Sequence, residues 1–233
     1  MKIAGLQKTT LIDYPSKIAC TIFLWGCNFR CGFCYNPNLV IKKEQGNFSE
    51  QAIIEFLIKR KEKLEAVCIT GGEPLIDIDL EFLKKIRELG YLIKIDTNGN
   101  FPEKLEKIID ERLVDYIAMD IKGSEEKYGE ITASKIDIKK IEESIKLIHK
   151  FGNYEFRTTI VKKFHDFKEI ENLGKWINEL CDGKPKKYFL QGFKNKGNFV
   201  DESFVLEPDV GEGYLNQLKK VAEKYFESAE VRA

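Results

Sequence analysis

Strand-like apolar runs alternate with amphipathic helical segments along all 233 residues, and this predicts an α/β fold: a partial open (β/α)6 barrel behind a short N-terminal extended arm. Such alternation implies parallel strands joined by crossover helices. Six strand–helix units can be counted, fewer than the eight of a closed barrel. Polar and glycine-rich motifs follow the strands, at the end where sites form in barrels and open α/β sheets. A doubly wound flat sheet fits the same alternation. With no low-complexity linker and no repeat of fixed period, the chain reads as one domain over 1–233, with the arm over 1–17 and the barrel over 18–233.

The arm ends at Asp13-Tyr14-Pro15-Ser16. Residues 18–25 follow as a strand buried on both faces, because apolar residues occupy both parities. Helix signals begin near Ser49, with Ile53, Ile54, Leu57, Ile58 and Leu64 on one stripe. Then come strand 66–70, helix 79–89 stopped by Gly90, strand 91–96, and a short helix over 102–110 opened by Pro102. Strand 116–121, helix 137–150, strand 155–161, and helix 167–180 with Asp166 and Glu169 as a capping box continue the series. Strand 188–190 and a last helix over 210–227 complete it.

Composition narrows the function classes. Lys+Arg and Asp+Glu both number 38, so the formal net charge is zero, and no general affinity for nucleic acid or an anionic membrane is expected. The first residues lack an apolar targeting segment, and the longest strongly apolar run, Ile18 to Trp25, is too short to span a bilayer. The expectation is a cytoplasmic protein. Three of its six cysteines fall within eight residues, which in a reducing compartment reads as a metal site before disulfides.

That cluster, Cys27-x3-Cys31-x2-Cys34, supplies soft thiolate ligands suited to iron–sulfur clusters and zinc. No fourth local cysteine accompanies it: Cys20 and Cys68 lie inside strands and Cys181 at a helix end. Three thiolates on a cubane leave one iron open to a ligand. The alternative is structural zinc with a distant fourth ligand, for which His149 and His165 are the candidates, although both read as surface histidines.

The spacing, with Phe33 before the last cysteine, resembles the signature of the radical S-adenosylmethionine (SAM) superfamily, and Gly71-Gly72-Glu73-Pro74 resembles its GGE motif. The stretches Gly5 to Pro15 and Phe23 to Cys31, with Asp96-Thr97-Asn98-Gly99 and Asp120-x-Lys122, resemble the activating proteins of anaerobic ribonucleoside-triphosphate reductase, a branch of the glycyl-radical-enzyme activases. The resemblance implies a radical SAM core and an oxidoreductase that cleaves SAM to a 5′-deoxyadenosyl radical and takes hydrogen from a glycine of a partner glycyl radical enzyme. A flavodoxin or ferredoxin would supply the electron.

It also implies a site. Cys27, Cys31 and Cys34 would hold a 4Fe–4S cluster whose open iron chelates SAM. The backbone of Gly71, Gly72 and Glu73 would hold the amino end, where bare glycines permit close approach. Phe33, Cys34 and Tyr35 would meet adenine, with loop packing as the alternative for Tyr35. Asp120, Ile121, Lys122, Arg157 and, more loosely, Gln191 would line the ribose, carboxylate and methionine end. A structural carboxylate is the alternative partner for Arg157. Asp96, Thr97 and Asp120 would hold a small monovalent cation, or else cap the loops that follow them. Beside the activase stand a small-molecule enzyme of the same superfamily, such as a 7-carboxy-7-deazaguanine synthase, and a non-enzymatic iron–sulfur or zinc module.

Overall fold

The β-branched and aromatic runs form strands where their patterns place them, and amphipathic helices connect them. The computed structural model describes residues 1–41 and 47–232. Among these, eight strands lie in chain order in one sheet: β1 (Ile3–Thr10), β2 (Ala19–Leu24), β3 (Ala66–Gly71), β4 (Leu92–Thr97), β5 (Tyr116–Asp120), β6 (Tyr154–Ile160), β7 (Lys187–Gly192) and β8 (Ser228–Arg232). β1 and β8 stand at the two ends of that order, in keeping with the α/β fold that the sequence predicts. The helices are α1 (Pro37–Ile41), α2 (Glu50–Arg60), α3 (Leu80–Glu88), α4 (Pro102–Asp110), α5 (Tyr128–Thr132), α6 (Ile138–Phe151), α7 (Phe167–Leu180) and α8 (Glu212–Ala222). No described helix is long and apolar enough to cross a membrane.

The chain divides into two compact units. The first comprises Met1–Asn28, Asn38–Thr97 and Glu103–Ile117. Here the expected arm is a full strand, β1, antiparallel to β2. β2, β3 and β4 run parallel, in a register that sets Ala19 beside Ala66 and Leu24 beside Gly71. The Asp13-Tyr14-Pro15 corner is fastened from three sides. Thr10 Oγ1 accepts from the Ile12 and Asp13 amides (3.3 and 3.4 Å), Thr21 Oγ1 donates to Asp13 (2.5 Å), and the buried Tyr14 ring lies 6.0 Å from Tyr116. Helix starts follow the short polar residues: Ser49 accepts from Ala52 N and Asp79 from Glu81 N, each cap contributing about 1 kcal/mol.

The second unit comprises Phe29–Pro37, Asn98–Pro102 and Ala118–Ala233. β6, β7 and β8 are parallel, with Gln191 flanked by Thr159 and Arg232. β8 lies beyond the six expected units. Its sequence, Ser-Ala-Glu-Val-Arg, is too short and polar to announce a strand, and the preceding helix α8 ends at Ala222 instead of running to 227. Phe226, in the link between them, stacks on Tyr188 at 4.3 Å. The short α1 and α5 are also additions to the expected series. The capping box at α7 is half formed. Asp166 accepts from Glu169 N (2.8 Å), but the Glu169 carboxylate turns away to accept from Ser124 N (2.6 Å) and Ser124 Oγ (3.0 Å).

Candidate functional site

In the first unit the chemistry-bearing residues gather where β2 and β3 end. Gly72 N–H donates to Leu24 O (3.0 Å) and Glu73 N–H to Gly26 O (2.7 Å), so the Gly-Gly-Glu segment is laced to the backbone that leads into Cys27. The glycines are bare for that reason. A Cβ on Gly72 would come within 2.5 Å of the Gly26 carbonyl carbon, and one on Gly71, whose φ is +130°, would press on the Leu24 backbone. An ammonium group only donates, so carbonyls and the carboxylate are the partners this segment has for it. The buried Glu73 carboxylate accepts from Leu75 N (3.1 Å) and Thr97 Oγ1 (2.8 Å).

Asp96, on β4, is ion-paired to the buried Lys94. Its countercharge is therefore a residue two positions earlier, which shares its face of the strand.

In the second unit, Cys31 and Cys34 are joined by a tight turn, Cys34 N–H to Cys31 O at 3.1 Å. The chain before it is tied down by Arg30 N–H, which donates to Thr132 O (3.0 Å) and Ser134 Oγ (3.0 Å). The turn rests on an aromatic cluster that the sequence did not disclose. Phe33 packs on Phe164 (6.2 Å) and Phe204 (6.0 Å), Phe204 also lies against Gly32, and Asp201 N–H donates to Gly32 O (3.0 Å). Tyr35 stacks on Phe193 (5.8 Å), and its hydroxyl accepts from Lys194 N (2.6 Å). Phe33 is buried in that cluster, while Tyr35 is stacked on Phe193 alone and stays 41% exposed.

Asp120, at the end of β5, organises the charges. Arg157 donates to its Oδ2 from Nε (2.9 Å) and Nη2 (2.7 Å), while Lys122 Nζ lies 3.4 Å from Oδ1. Burial alone would raise the pKa of this carboxyl, but the Arg157 and Lys122 charges outweigh it and hold Asp120 well below the ordinary range. Burial lowers the Lys122 pKa, and the negative charge of Asp120, Cys31 and Cys34 more than restores it, leaving it raised. Ile121 is spent on the sheet, its N–H on Arg157 O (2.9 Å) and its carbonyl on Thr158 Oγ1 (2.7 Å). Gln191 is half-buried at the end of β7. Both carboxylates of the anticipated cation site, Asp96 and Asp120, thus carry protein cations.

His165 is no surface residue. It is fully buried, its Nδ1 accepts from Val161 N (3.0 Å), and its Nε2 therefore donates to Lys122 O (2.8 Å). Burial pushes its pKa down to about 4, so the ring is a neutral fixture holding the Lys122 backbone. It reads as a surface residue because Lys162, Lys163, Asp166 and Lys168 around it are charged and exposed.

The donor chemistry suits a thiolate-bound cluster. None of the six cysteines is in a disulfide. Burial pushes the Cys31 thiol up to about 11, against the pull of Lys122, so ligation by iron and that ammonium would both favour the thiolate. Among the described residues no three His, Cys, Asp or Glu stand close enough together to hold a single metal ion.

Comparison with known proteins bears on both units. Residues 21–177 match the model of the Radical SAM superfamily. A protein of Methanocaldococcus jannaschii, named as a candidate glycyl-radical enzyme activating enzyme, is 35% identical over 99% of this chain and 95% of its own length. A pyruvate formate-lyase-activating enzyme of Listeria monocytogenes is 31% identical over 52% of this chain and 53% of its own. Among solved structures, SuiB of Streptococcus suis shares the fold with a TM-score of 0.66 at 14% identity, over 89% of this chain. The chain spans less than half of that protein, 47%. The chain belongs to the radical SAM superfamily, in its glycyl-radical-enzyme activase branch.

Proposed function

We propose that this protein activates a glycyl radical enzyme, with anaerobic ribonucleoside-triphosphate reductase as the partner. The family's cofactors are a 4Fe–4S cluster and SAM. Cys27, Cys31 and Cys34 are the ligands of the cluster in this reading, and the observation that carries it is their spacing in one eight-residue stretch with no fourth thiol. The bound cluster would supply one-electron reduction of the SAM sulfonium, the radical chemistry needed to remove a Cα hydrogen from glycine.

The residues of the chain do the holding. The laced Gly71-Gly72-Glu73 segment fixes the approach to Cys27 and presents acceptors for the substrate ammonium. The Cys31–Cys34 turn, seated on Phe33, Phe164 and Phe204, keeps two thiols and the adenine-facing backbone of 33–35 in place. Lys122, fixed by His165 and Asp120, offers positive charge to the thiolates and to the SAM carboxylate. Arg157 and Gln191 stand on β6 and β7 for the ribose and methionine end. Flavodoxin or ferredoxin serves as the electron donor in this proposal.

The test is anaerobic reconstitution followed by mixing with candidate glycyl radical enzymes, reading the glycyl radical by electron paramagnetic resonance. A brown protein that cleaves SAM and generates the signal in the reductase supports the proposal. Consumption of SAM only with a pterin-like small molecule, and no glycyl radical in any partner, would transfer the protein to the deazaguanine-type alternative. A colourless protein carrying one zinc per chain would refute both.

A further inference from the structure

The Glu169 carboxylate, left over from the capping box, has a second use in the second unit. β5 ends at Asp120, and Ile121 is still tied to β6 at both its N–H and its carbonyl. From Lys122 onward the chain is gripped by the segment that opens α7. Lys122 O accepts from His165 Nε2 (2.8 Å), and the His165 carbonyl in turn accepts from Tyr214 Oη on α8 (2.9 Å). Ser124 meets Glu169 twice, N–H to Oε1 at 2.6 Å and Oγ–H to Oε2 at 3.0 Å. Gly123 stands between the two grips. A Cβ there would come within 2.9 Å of Glu169 Oε1 and would press on Ile131 of α5, so no side chain fits between the carboxylate and the loop.

Glu169 is only 1% exposed, and a carboxylate withdrawn from water is stable only where hydrogen bonds and opposite charge offset the lost hydration. Here the two Ser124 donors do so, together with the Lys127 ammonium 3.8 Å from Oε2. An apolar residue could fill this space but could not set the angle of the Ser124 peptide. Two oxygens that meet the N–H and the hydroxyl of one residue fix its position and its rotation together. The consequence falls on Lys122. Its backbone leaves Ile121 on the sheet and arrives, two residues on, at Ser124 on α7, with its own carbonyl on His165. Its ammonium lies 3.4 Å from Asp120 Oδ1, on the carboxylate that Arg157 grips from Nε and Nη2. We propose that Glu169 is a positioning residue for Lys122: through Ser124 it fixes the chain that follows β5, and with it the place from which the Lys122 ammonium reaches Asp120 and the SAM carboxylate. The proposal rests on the SAM-binding role given to Lys122 above and deepens it.

The experiment uses the full chain and reads amide hydrogen exchange over residues 122–124 before reconstitution, the SAM dissociation constant after it, and the urea midpoint. Glu169→Met should open the Ser124 amide to exchange and weaken SAM binding roughly tenfold at full iron content, the scale on which residues one step behind a ligand-binding group act. Glu169→Gln should keep wild-type affinity, because its amide can still accept from the Ser124 N–H and can donate to the hydroxyl. Ser124→Ala, which keeps the bond from the amide and loses the one from the hydroxyl, should fall between them. The cap of α7 uses the Glu169 backbone N–H, so all three variants retain it. A carboxylate that only adds stability would lower the urea midpoint of Glu169→Met and leave the affinity of the folded protein unchanged. That result overturns the proposal, as does a Glu169→Gln protein that binds SAM as weakly as Glu169→Met. If Glu169→Met does not fold, wild-type affinity in Ser124→Ala overturns it alone. A wild-type chain that takes up no iron–sulfur cluster or binds no SAM refutes the functional reading instead, and this assignment falls with it.

Discussion

Gly72→Ala tests how the cysteine loop is anchored. An added Cβ would lie 2.5 Å from the Gly26 carbonyl carbon and 3.1 Å from Cys27 N. Carbon atoms rest about 3.5–4.0 Å apart, so the two backbones would have to part by about 1 Å. The Glu73 N–Gly26 O hydrogen bond, now 2.7 Å, would then pass the length at which it counts as a bond, and the 3.0 Å bond from Gly72 N to Leu24 O would be strained with it. An unmade buried hydrogen bond costs about 1–3 kcal/mol and local overpacking a similar amount, so the expected loss is about 2–6 kcal/mol. That is a large part of the 5–15 kcal/mol typical of a folded domain. The assay is equilibrium urea unfolding, with iron content after reconstitution as the second readout. Gly213→Ala is the control: Gly213 lies in α8 with nothing within 4 Å of a new Cβ, so it should be neutral or up to about 1 kcal/mol stabilising. A Gly72→Ala protein within 0.5 kcal/mol, roughly, of wild type and with full iron would refute the reasoning.

Three further outcomes are expected. Cys27→Ala, Cys31→Ala or Cys34→Ala should each abolish cluster uptake measured by iron and sulfide content, whereas Cys181→Ala, a buried thiol raised to about 12, should retain it. His165 has a folded-state pKa of about 4 against about 6.5 unfolded, so its contribution is complete above pH 6.5 and is lost as pH falls toward 4, about 3 kcal/mol in all. Urea midpoints from pH 7 to 4.5 should fall less steeply in His165→Gln than in wild type, and equal slopes would contradict the buried neutral imidazole. Lys94→Met removes the buried ammonium that balances Asp96 and should cost about 3–5 kcal/mol in the same unfolding assay, with no recovery on adding potassium or sodium salts beyond that seen in wild type. A cation-specific rescue would mean that an added ion takes the place of the Lys94 ammonium beside Asp96.

The sequence was most legible where local chemistry and local structure coincide. Three cysteines in eight residues, the double-sided burial of β2, and the capping residues Ser49, Asp79 and Asp166 are all short-range signals. What it hid is long-range. Phe204 is far from Phe33 in the chain, and nothing in either neighbourhood announces that they support the same turn. Glu169 reads as a capping-box glutamate until Ser124 supplies two donors to it. Lys94 looks like a solvent-side residue in a strand, yet it is buried against Asp96. The glycines of the Gly-Gly-Glu segment were legible as a need for close approach, but the approaching group is the chain's own backbone at Leu24 and Gly26.

An open sheet leaves two rims whose unpaired peptide groups could template pairing with another chain. The two rims are defended differently. β1 is irregular, its register with β2 slipping between Ile3 and Gly5 and again between Gln7 and Thr10, so it offers no long flat ladder. β8 is only five residues long and carries Glu230 and Arg232. The exposed Glu230 therefore places a charge on this short rim, where it discourages edge-to-edge pairing with a second molecule.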